Sequence, residues 1–326
     1  MYTSLKPSFL IAAAVTVAVY LLSTLSYVAY CGLHILLFGL VPWIVWRAWR
    51  GHRKQKSQKV SRRLGVALAL LLIWPVESLF HHGSPSLTGE AHELHVLSYN
   101  LYFRNESNTA TLQPLKQLAA DVLAFQEVTP AWERTLEREL ATQYPYRKVV
   151  ANTGTHGLAI YSRHPLQAHK IEYNRYDLPI AQQVRVHIGE DFLTLVNAHI
   201  ASPAGAVEGP REELLFNLER NARLRRIQWD QITEEVGGGA VLVVGDLNTH
   251  RWEHLYQHIR RDFTEAHASA GEGWGLTFPT PRKLPWPVFR LDHIFARGPV
   301  QFQDAQVLER PIYSDHLGVS ARVIWQ

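Results

Sequence analysis

The chain has 326 residues, 47% of them hydrophobic, and carries 33 Lys and Arg against 29 Asp and Glu. That length admits one large domain or two ordinary ones, while the single cysteine, Cys31, excludes an internal disulfide framework and a multi-thiolate metal centre. Nine of the basic and two of the acidic residues fall within residues 1–90, which leaves 24 and 27 in residues 91–326 and a net charge of about −3 there. A generic nucleic-acid-binding domain is usually basic, so this balance counts against that class of partner.

The first predicted elements are membrane spans. Residues 8–46 contain no Asp, Glu, Lys or Arg in 39 consecutive positions, and one crossing needs only about 20 apolar helical residues, so two spans are expected. A third apolar run, 64–80 (LGVALALLLIWPVESLF), is short and carries Pro75 and Glu77 near its far end. Between the second and third runs, residues 47–63 hold eight Lys and Arg and no acid. A basic loop this short is expected on the cytoplasmic side, which sends everything after Phe80 to the extracytoplasmic side. Residues 1–80 thus read as a membrane anchor of three transmembrane helices. Residues 81–94 (HHGSPSLTGEAHEL) read as a polar juxtamembrane linker with a reach of at most roughly 45 Å, and residues 95–326 as one folded domain.

Beyond the linker, strand-like runs alternate with helical ones. Strands are predicted over 95–103 (HVLSYNLYF), 122–128 (VLAFQEV), 157–163 (GLAIYSR), 183–189 (QVRVHIG), 192–200 (FLTLVNAHI), 240–248 (AVLVVGDLN), 291–297 (LDHIFAR) and 318–325 (GVSARVIW). Helices are predicted over 108–119, 130–144, 210–235 and 251–259. In the first strand, Leu101, Tyr102 and Phe103 continue the alternation past Asn100, which predicts extended backbone there rather than a turn. On the long helix, Leu214, Leu218, Leu224, Ile227 and Ile232 approximate one apolar stripe. Its arginines, Arg220, Arg223, Arg225 and Arg226, read as a solvated face paired with Glu212, Glu213 and Glu219, or alternatively as steering charges for an anionic substrate. The whole pattern predicts an α/β domain with two sheets covered by helices.

Polar residues recur where the predicted strands end. Asn100 interrupts LSYNLYF, Glu127 closes AFQE, His199 closes LVNAH, Asp246 and Asn248 close VVGDLN, Asp292 begins LDHIF, and Asp315 and His316 precede the last strand. Strand ends of α/β proteins project side chains into a cleft while the apolar run fixes the backbone. Singly, each has a bland explanation: Glu127 as an acid at a helix N-terminus, Asp246 to Asn248 as an Asx turn, Asp292 as a partner of Arg290. Their recurrence in one chain points instead to a shared site.

Together, LSYN, AFQE, GLAIYSR, NAH, GDLN, RLDHIF and SDH resemble the endonuclease/exonuclease/phosphatase superfamily, the DNase I-like fold, over residues 95–326. The resemblance implies a four-layer α/β sandwich and divalent-metal-dependent phosphoester hydrolysis. On that expectation Glu127 is a hard oxygen ligand for Mg²⁺ or Mn²⁺, Asn100 offers a carbonyl oxygen beside it, and Asp315 completes the shell. His316 and Asp292 form an acid/base pair, Asp246 orients or deprotonates the attacking water, and Asn248 and His199 donate hydrogen bonds to the phosphoryl oxygens. Two departures stand out: Tyr102 occupies a position where some nuclease members carry an acid, and His199 stands where several have Tyr. Both count against an abasic-site endonuclease.

Gly273, Trp274, Gly275, Thr277, Phe278 and Pro279, followed by Arg290, Asp292 and His293, together with the anchor, resemble a bacterial membrane-bound subgroup of that superfamily. This implies an inner-membrane protein with its catalytic domain extracytoplasmic, acting on a lipid-linked phosphate such as a prenyl pyrophosphate carrier. A membrane-tethered nuclease is the alternative. Trp274 and Arg290 are the candidate substrate contacts; the aromatic and proline-rich stretch 274–289 suits the bilayer interface or a prenyl chain, or equally packing on its own domain.

Overall fold

The computed structural model describes residues 91–326 apart from 106–108, 207–212, 252, 280–286, 288 and 309–312. The three expected spans, the basic segment 47–63 and most of the expected linker lie outside the described residues. Among the described residues no helix is long and apolar enough to cross a membrane. The site-bearing compact unit comprises His81–Ser202, Asn221–Arg251 and Leu255–Gln326.

Two six-stranded sheets form the unit. One contains β1 (His92–Asn100), β2 (Val122–Gln126), β3 (Tyr146–Val150), β4 (Leu158–Ser162), β11 (Val300–Val307) and β12 (Val319–Trp325), in the order β11-β12-β1-β2-β4-β3. The other contains β5 (Leu166–Tyr173), β6 (Pro179–Ile188), β7 (Asp191–His199), β8 (Val241–Asp246), β9 (Thr264–Glu265) and β10 (Asp292–Arg297), in the order β5-β6-β7-β8-β10-β9. Each sheet combines one parallel pair, β1 with β2 and β7 with β8, with antiparallel neighbours. The domain starts earlier than its hydrophobic pattern suggests, since His92 to Leu94 of the expected linker already belong to β1.

Residue parity along the strands builds the layers. Val96, Val122 and Ala124 pack with Val184, Leu195, Leu242 and Val244 in a core between the sheets. Leu97, Tyr99, Leu123 and Phe125 point the other way, toward α1 (Gln113–Leu118) and α2 (Pro130–Leu140). On the second sheet Val196, Val241 and Val243 face α3 (Leu214–Glu234) and α4 (His254–Ile259). Runs such as Val241 to Val244 are apolar at every position because both of their faces are covered. Each fully buried Leu or Phe contributes about 1.5–3 kcal/mol, so this double coverage holds the strand ends in place.

Two sequence expectations change. The extended backbone stops at Asn100: Tyr102 adopts φ 63° and its N–H donates to Asn100 Oδ1 at 3.0 Å, a side-chain-closed turn. On α3, Leu218 and Ile232 of the expected stripe are buried but Ile227 is exposed; Arg225, Gln228 and Trp229 complete the buried face. The carbonyls and N–H groups beneath the helix explain this: Arg225 Nη1 donates to Asn248 O at 2.6 Å, and Gln228 Oε1 accepts from Ala201 N at 2.9 Å.

Candidate active site

The same parity that makes the inter-sheet core apolar makes one end of it polar. Register pairs Asn100 with Gln126 across β1 and β2, His199 with Asp246 across β7 and β8, and Asp246 with Asp292 across β8 and β10. Alternation from the apolar inner residues turns these side chains inward, into the layer between the sheets. Gln126 Nε2 crosses that layer to Asn197 Oδ1 at 2.7 Å, and Asn197 Nδ2 donates to Phe125 O and Ala159 O. These two amides clamp the sheets together directly beneath the catalytic end. In sequence they are visible only as neighbours of Glu127 and His199.

Backbone geometry then aims the side chains. Glu127 follows β2 with φ 60° and Asn248 follows β8 with φ 45°; such left-handed residues are uncommon outside glycine and concentrate at functional sites. Gly245 carries φ 144°, and a Cβ there would lie 1.8 Å from Ala198 O, so only glycine lets β7 and β8 approach this closely beside Asp246. After Glu127, Thr129 caps α2 by accepting from Trp132 N at 3.2 Å, and the fully buried Trp132 anchors the turn.

The resulting cluster is buried and densely connected. Asn100 Nδ2 donates to Glu127 Oε1 at 3.2 Å and to Asp246 Oδ2 at 3.1 Å, while Phe103 N donates to Glu127 Oε2 at 2.8 Å. Asn248 N donates to Asp246 Oδ1 at 3.0 Å, and Asn248 Nδ2 to Ile200 O at 3.0 Å. His199 Nδ1 donates to Thr155 O at 3.0 Å, which places Nε2 3.6 Å from Asp246 Oδ2. His316 Nδ1 lies 2.8 Å from Asp292 Oδ2 and its Nε2 3.6 Å from Asp246 Oδ2. Ser314 Oγ donates to Asn100 O at 2.7 Å and accepts from His316 N, tying this last loop to β1.

Burial alone would lower the His316 imidazole, but the Asp292 and Asp246 carboxylates outweigh it and push it up to about 10. Asp315 adds a further raising charge. The Asp246 carboxyl is pushed up, first by burial and, against the pull of His316, by Asp292. These carboxylates favour the imidazolium form of His316, in which Nδ1 and Nε2 both donate.

The chemistry of the donors suits a hard dication. Asp246 and Asp292 each offer a carboxylate oxygen within 4.8 Å of the other, and Asp292 Oδ1 is buried without a hydrogen-bond partner. Among the described residues no Lys or Arg pairs with Glu127, Asp246 or Asp292, so their negative charge is offset only by imidazoles and N–H dipoles. Oxygen-rich, charge-excess sites of this kind suit a divalent metal. Asn100 bridges two carboxylates through its nitrogen, with its oxygen on Tyr102 N; service as a ligand oxygen requires its amide to turn over.

The candidate substrate contacts part company. Trp274 is 52% exposed. Arg290 is not presented to a substrate: it is buried, with Nη2 3.7 Å from the buried Glu265 Oε2. Glu265 also meets His293 at 3.4 Å and caps Ala268 N at 2.7 Å, so Arg290 neutralises a structural carboxylate.

The sequence model of the Endonuclease/Exonuclease/phosphatase family matches residues 97–316. None of the curated proteins compared matches the chain. Among solved structures, an endonuclease/exonuclease/phosphatase from Beutenbergia cavernae is 17% identical with TM-score 0.56, covering 72% of this chain and 72% of its own. Beta toxin from Staphylococcus aureus is 17% identical with TM-score 0.56, covering 70% of this chain and 99% of its own. D. rerio TDP2, described in complex with a single-strand DNA product, is 18% identical with TM-score 0.55, covering 71% and 98%. At these identities the likeness establishes the fold.

Proposed function

The chain belongs to the endonuclease/exonuclease/phosphatase family, whose members are metal-dependent hydrolases acting on phosphoester bonds; on that premise we propose that it is a membrane-anchored enzyme hydrolysing the phosphate or pyrophosphate ester of a lipid or lipid carrier on the extracytoplasmic face of a bacterial inner membrane. The observation that carries the chemistry is the Asp292–His316–Asp246 arrangement, with Nδ1 and Nε2 of one imidazole facing two buried carboxylates. The observation that favours a lipid is the uncharged stretch 8–46 with its flanking basic loop.

Each residue has a task fitted to its contacts. Glu127, Asp292 and Asp315, with Asn100 once its amide turns over, are the residues that would hold Mg²⁺ or Mn²⁺, which when bound neutralises phosphate charge and polarises the phosphoryl group. Asp246 orients the attacking water and accepts its proton, helped by the upward pressure on its carboxyl. His316, fixed and charged by Asp292, donates from Nε2 to the oxygen on which charge develops. The second amide hydrogen of Asn248, and Nε2 of His199 once that ring carries a second proton, donate to the remaining phosphoryl oxygens, with Arg225 holding the Asn248 backbone.

Chain length permits access to a membrane substrate. β1 runs from His92 to Asn100, so the linker joins the sheet at the end opposite the site. Nine strand residues span roughly 30 Å, and residues 81–91 can reach roughly 36–40 Å, enough for the catalytic end to meet headgroups. A short tether raises the local concentration of such a substrate. The second reading, a tethered nuclease, is favoured by the fold shared with TDP2 in complex with single-strand DNA product; the net charge of about −3 over residues 91–326 counts against it.

The test is a panel of detergent-solubilised prenyl pyrophosphate, prenyl monophosphate and plasmid DNA, incubated with the full chain, its Glu127→Ala variant and its His316→Ala variant. Phosphate release from the prenyl substrates, lost in both variants, is expected. Turnover of DNA alone replaces the lipid reading with the nuclease one.

A further inference from the structure

Residues 273–279 form a sequence motif to which the hydrolytic chemistry gives no task, and two of its members lie against both partners of the His316–Asp292 pair. Thr277 is fully buried, and its Oγ1 accepts from Leu291 N at 3.1 Å and from Asp292 N at 3.3 Å. Its carbonyl accepts from Leu317 N at 2.8 Å, the residue next to His316. Phe278 packs its half-buried ring against the His316 imidazole, centroids 4.7 Å apart and the ring planes tilted by 45°. Phe278 and Phe289 exchange both backbone hydrogen bonds, at 2.9 and 2.8 Å, and Thr277 N donates to Phe289 O at 2.7 Å, closing the strap onto the segment that leads into Asp292.

From these contacts we propose that Thr277 and Phe278 are positioning residues for hydrolysis, a strap that holds Asp292 and His316 in mutual register. Asp292 and His316 arrive on separate chain segments, β10 and the loop before β12, which belong to different sheets and are not paired with each other among the described residues. Thr277 supplies that join: one hydroxyl oxygen fixes the backbone of Asp292, and one carbonyl fixes the backbone after His316. Phe278 supplies the second coordinate, the orientation of the imidazole, by packing against the ring. A hydrogen-bonded acid/base pair loses rate steeply when displaced by a fraction of an ångström. The contacts of the strap are with the backbone beside Asp292 and His316 and with the imidazole ring, so it acts through the pair. This rests on the reading of Asp292 and His316 as part of the hydrolytic site and is indifferent to whether the substrate is lipid or nucleic acid.

The hydroxyl, and not the bulk of the side chain, carries the role. Thr277→Val keeps the volume and removes the acceptor for two buried N–H groups, whereas Thr277→Ser keeps the acceptor. With the full chain in detergent and whichever ester of the panel the wild type hydrolyses, Thr277→Val is expected to lower kcat about 10- to 100-fold with KM within about two-fold, and Thr277→Ser to restore kcat to within about three-fold. Phe278→Leu, which leaves every backbone hydrogen bond in place, is expected to lower kcat about 5- to 20-fold and decides the case if Thr277→Val does not fold. The downfield proton signal of the His316 Nδ1–H on Asp292, absent in His316→Ala and needing no substrate, is expected to shift or broaden in Thr277→Val and Phe278→Leu. Variants that melt at lower temperature yet keep both wild-type kcat and an unchanged downfield signal overturn the proposal and leave the strap purely structural. If no ester is hydrolysed by the wild type, the hydrolytic reading itself fails, while the downfield signal still decides whether the strap positions the pair.

Discussion

Asn100 Nδ2 donates to Asp246 Oδ2 at 3.1 Å, and that hydrogen bond joins the end of β1 in one sheet to the end of β8 in the other. Because burial presses the Asp246 carboxyl upward, the negative charge there is held against the fold's preference, as expected for a group kept for chemistry rather than stability. Asp246→Asn should leave the melting temperature unchanged or raise it, by about 1 kcal/mol of stability, while lowering kcat about 10²- to 10⁴-fold. Thermal denaturation beside single-turnover kinetics checks it; equal losses of both would make Asp246 a structural residue.

The charge on His316 predicts a pH dependence of stability. Its folded value of about 10 exceeds the ordinary 6.5, so the stabilisation from the imidazolium is fully present below about 6.5 and is lost as pH rises through about 10. Asp292→Asn removes the largest raising influence. The gap in melting temperature between wild type and Asp292→Asn should therefore narrow steadily between pH 7 and 10. A gap that widens over that range would contradict the assignment.

A second limb appears in acid, from the far side of β10. Burial by itself would raise Glu265, but Arg290 and His293 outweigh it and hold the carboxyl well below its usual range. Its stabilisation is present above about 4.5 and disappears as pH falls below that. His267 is pressed down to about 4 by burial and by Arg290, so the folded state resists its protonation and loses stability as pH falls from about 6.5 to 4. Glu265→Gln should cost about 3–5 kcal/mol, since it leaves Arg290 buried without a counter-charge. His267→Gln should flatten the limb between pH 6.5 and 4, read by thermal denaturation across that window.

Metal binding should be measurable without turnover. A dication that binds only the folded chain stabilises it by about 2.7 kcal/mol at 100 times its Kd. Mg²⁺ or Mn²⁺ should raise the melting temperature of the wild type, EDTA should reverse the shift, and Glu127→Gln and Asp292→Asn should each shrink it. Identical shifts in all three proteins would place the ion elsewhere.

Strands buried on both faces, such as Val122–Gln126 and Val241–Asp246, are legible in sequence as apolar runs, and the polar residue closing each is legible as a candidate for the site. Tyr146–Val150 and Leu166–Tyr173 are not, because they lie at sheet edges, where half-exposed residues follow no period-two rhythm. Val300–Val307 escapes too, since a bulge between Phe302 and Asp304 breaks the alternation begun by Val300 and Phe302. Asn100 reads as mid-strand, because nothing in Leu101, Tyr102 and Phe103 announces that the Asn100 side chain itself closes a turn. Arg225 and Gln228 look like surface residues in sequence; their burial depends on carbonyl and N–H groups of segments that only the fold brings beneath α3. Arg290 reads as a substrate contact since Glu265, its partner, is remote in sequence and inconspicuous there.

The most direct measurement is phosphate release from detergent-solubilised prenyl pyrophosphate by the full chain, with Mg²⁺, with EDTA, and with EDTA followed by excess Mg²⁺, set beside His316→Ala under the first condition. Release that stops with EDTA, returns with Mg²⁺ and falls at least about 10³-fold in His316→Ala is the predicted result. Release indifferent to EDTA, or retained in His316→Ala, would contradict a metal-dependent hydrolysis carried by the Asp292–His316–Asp246 cluster.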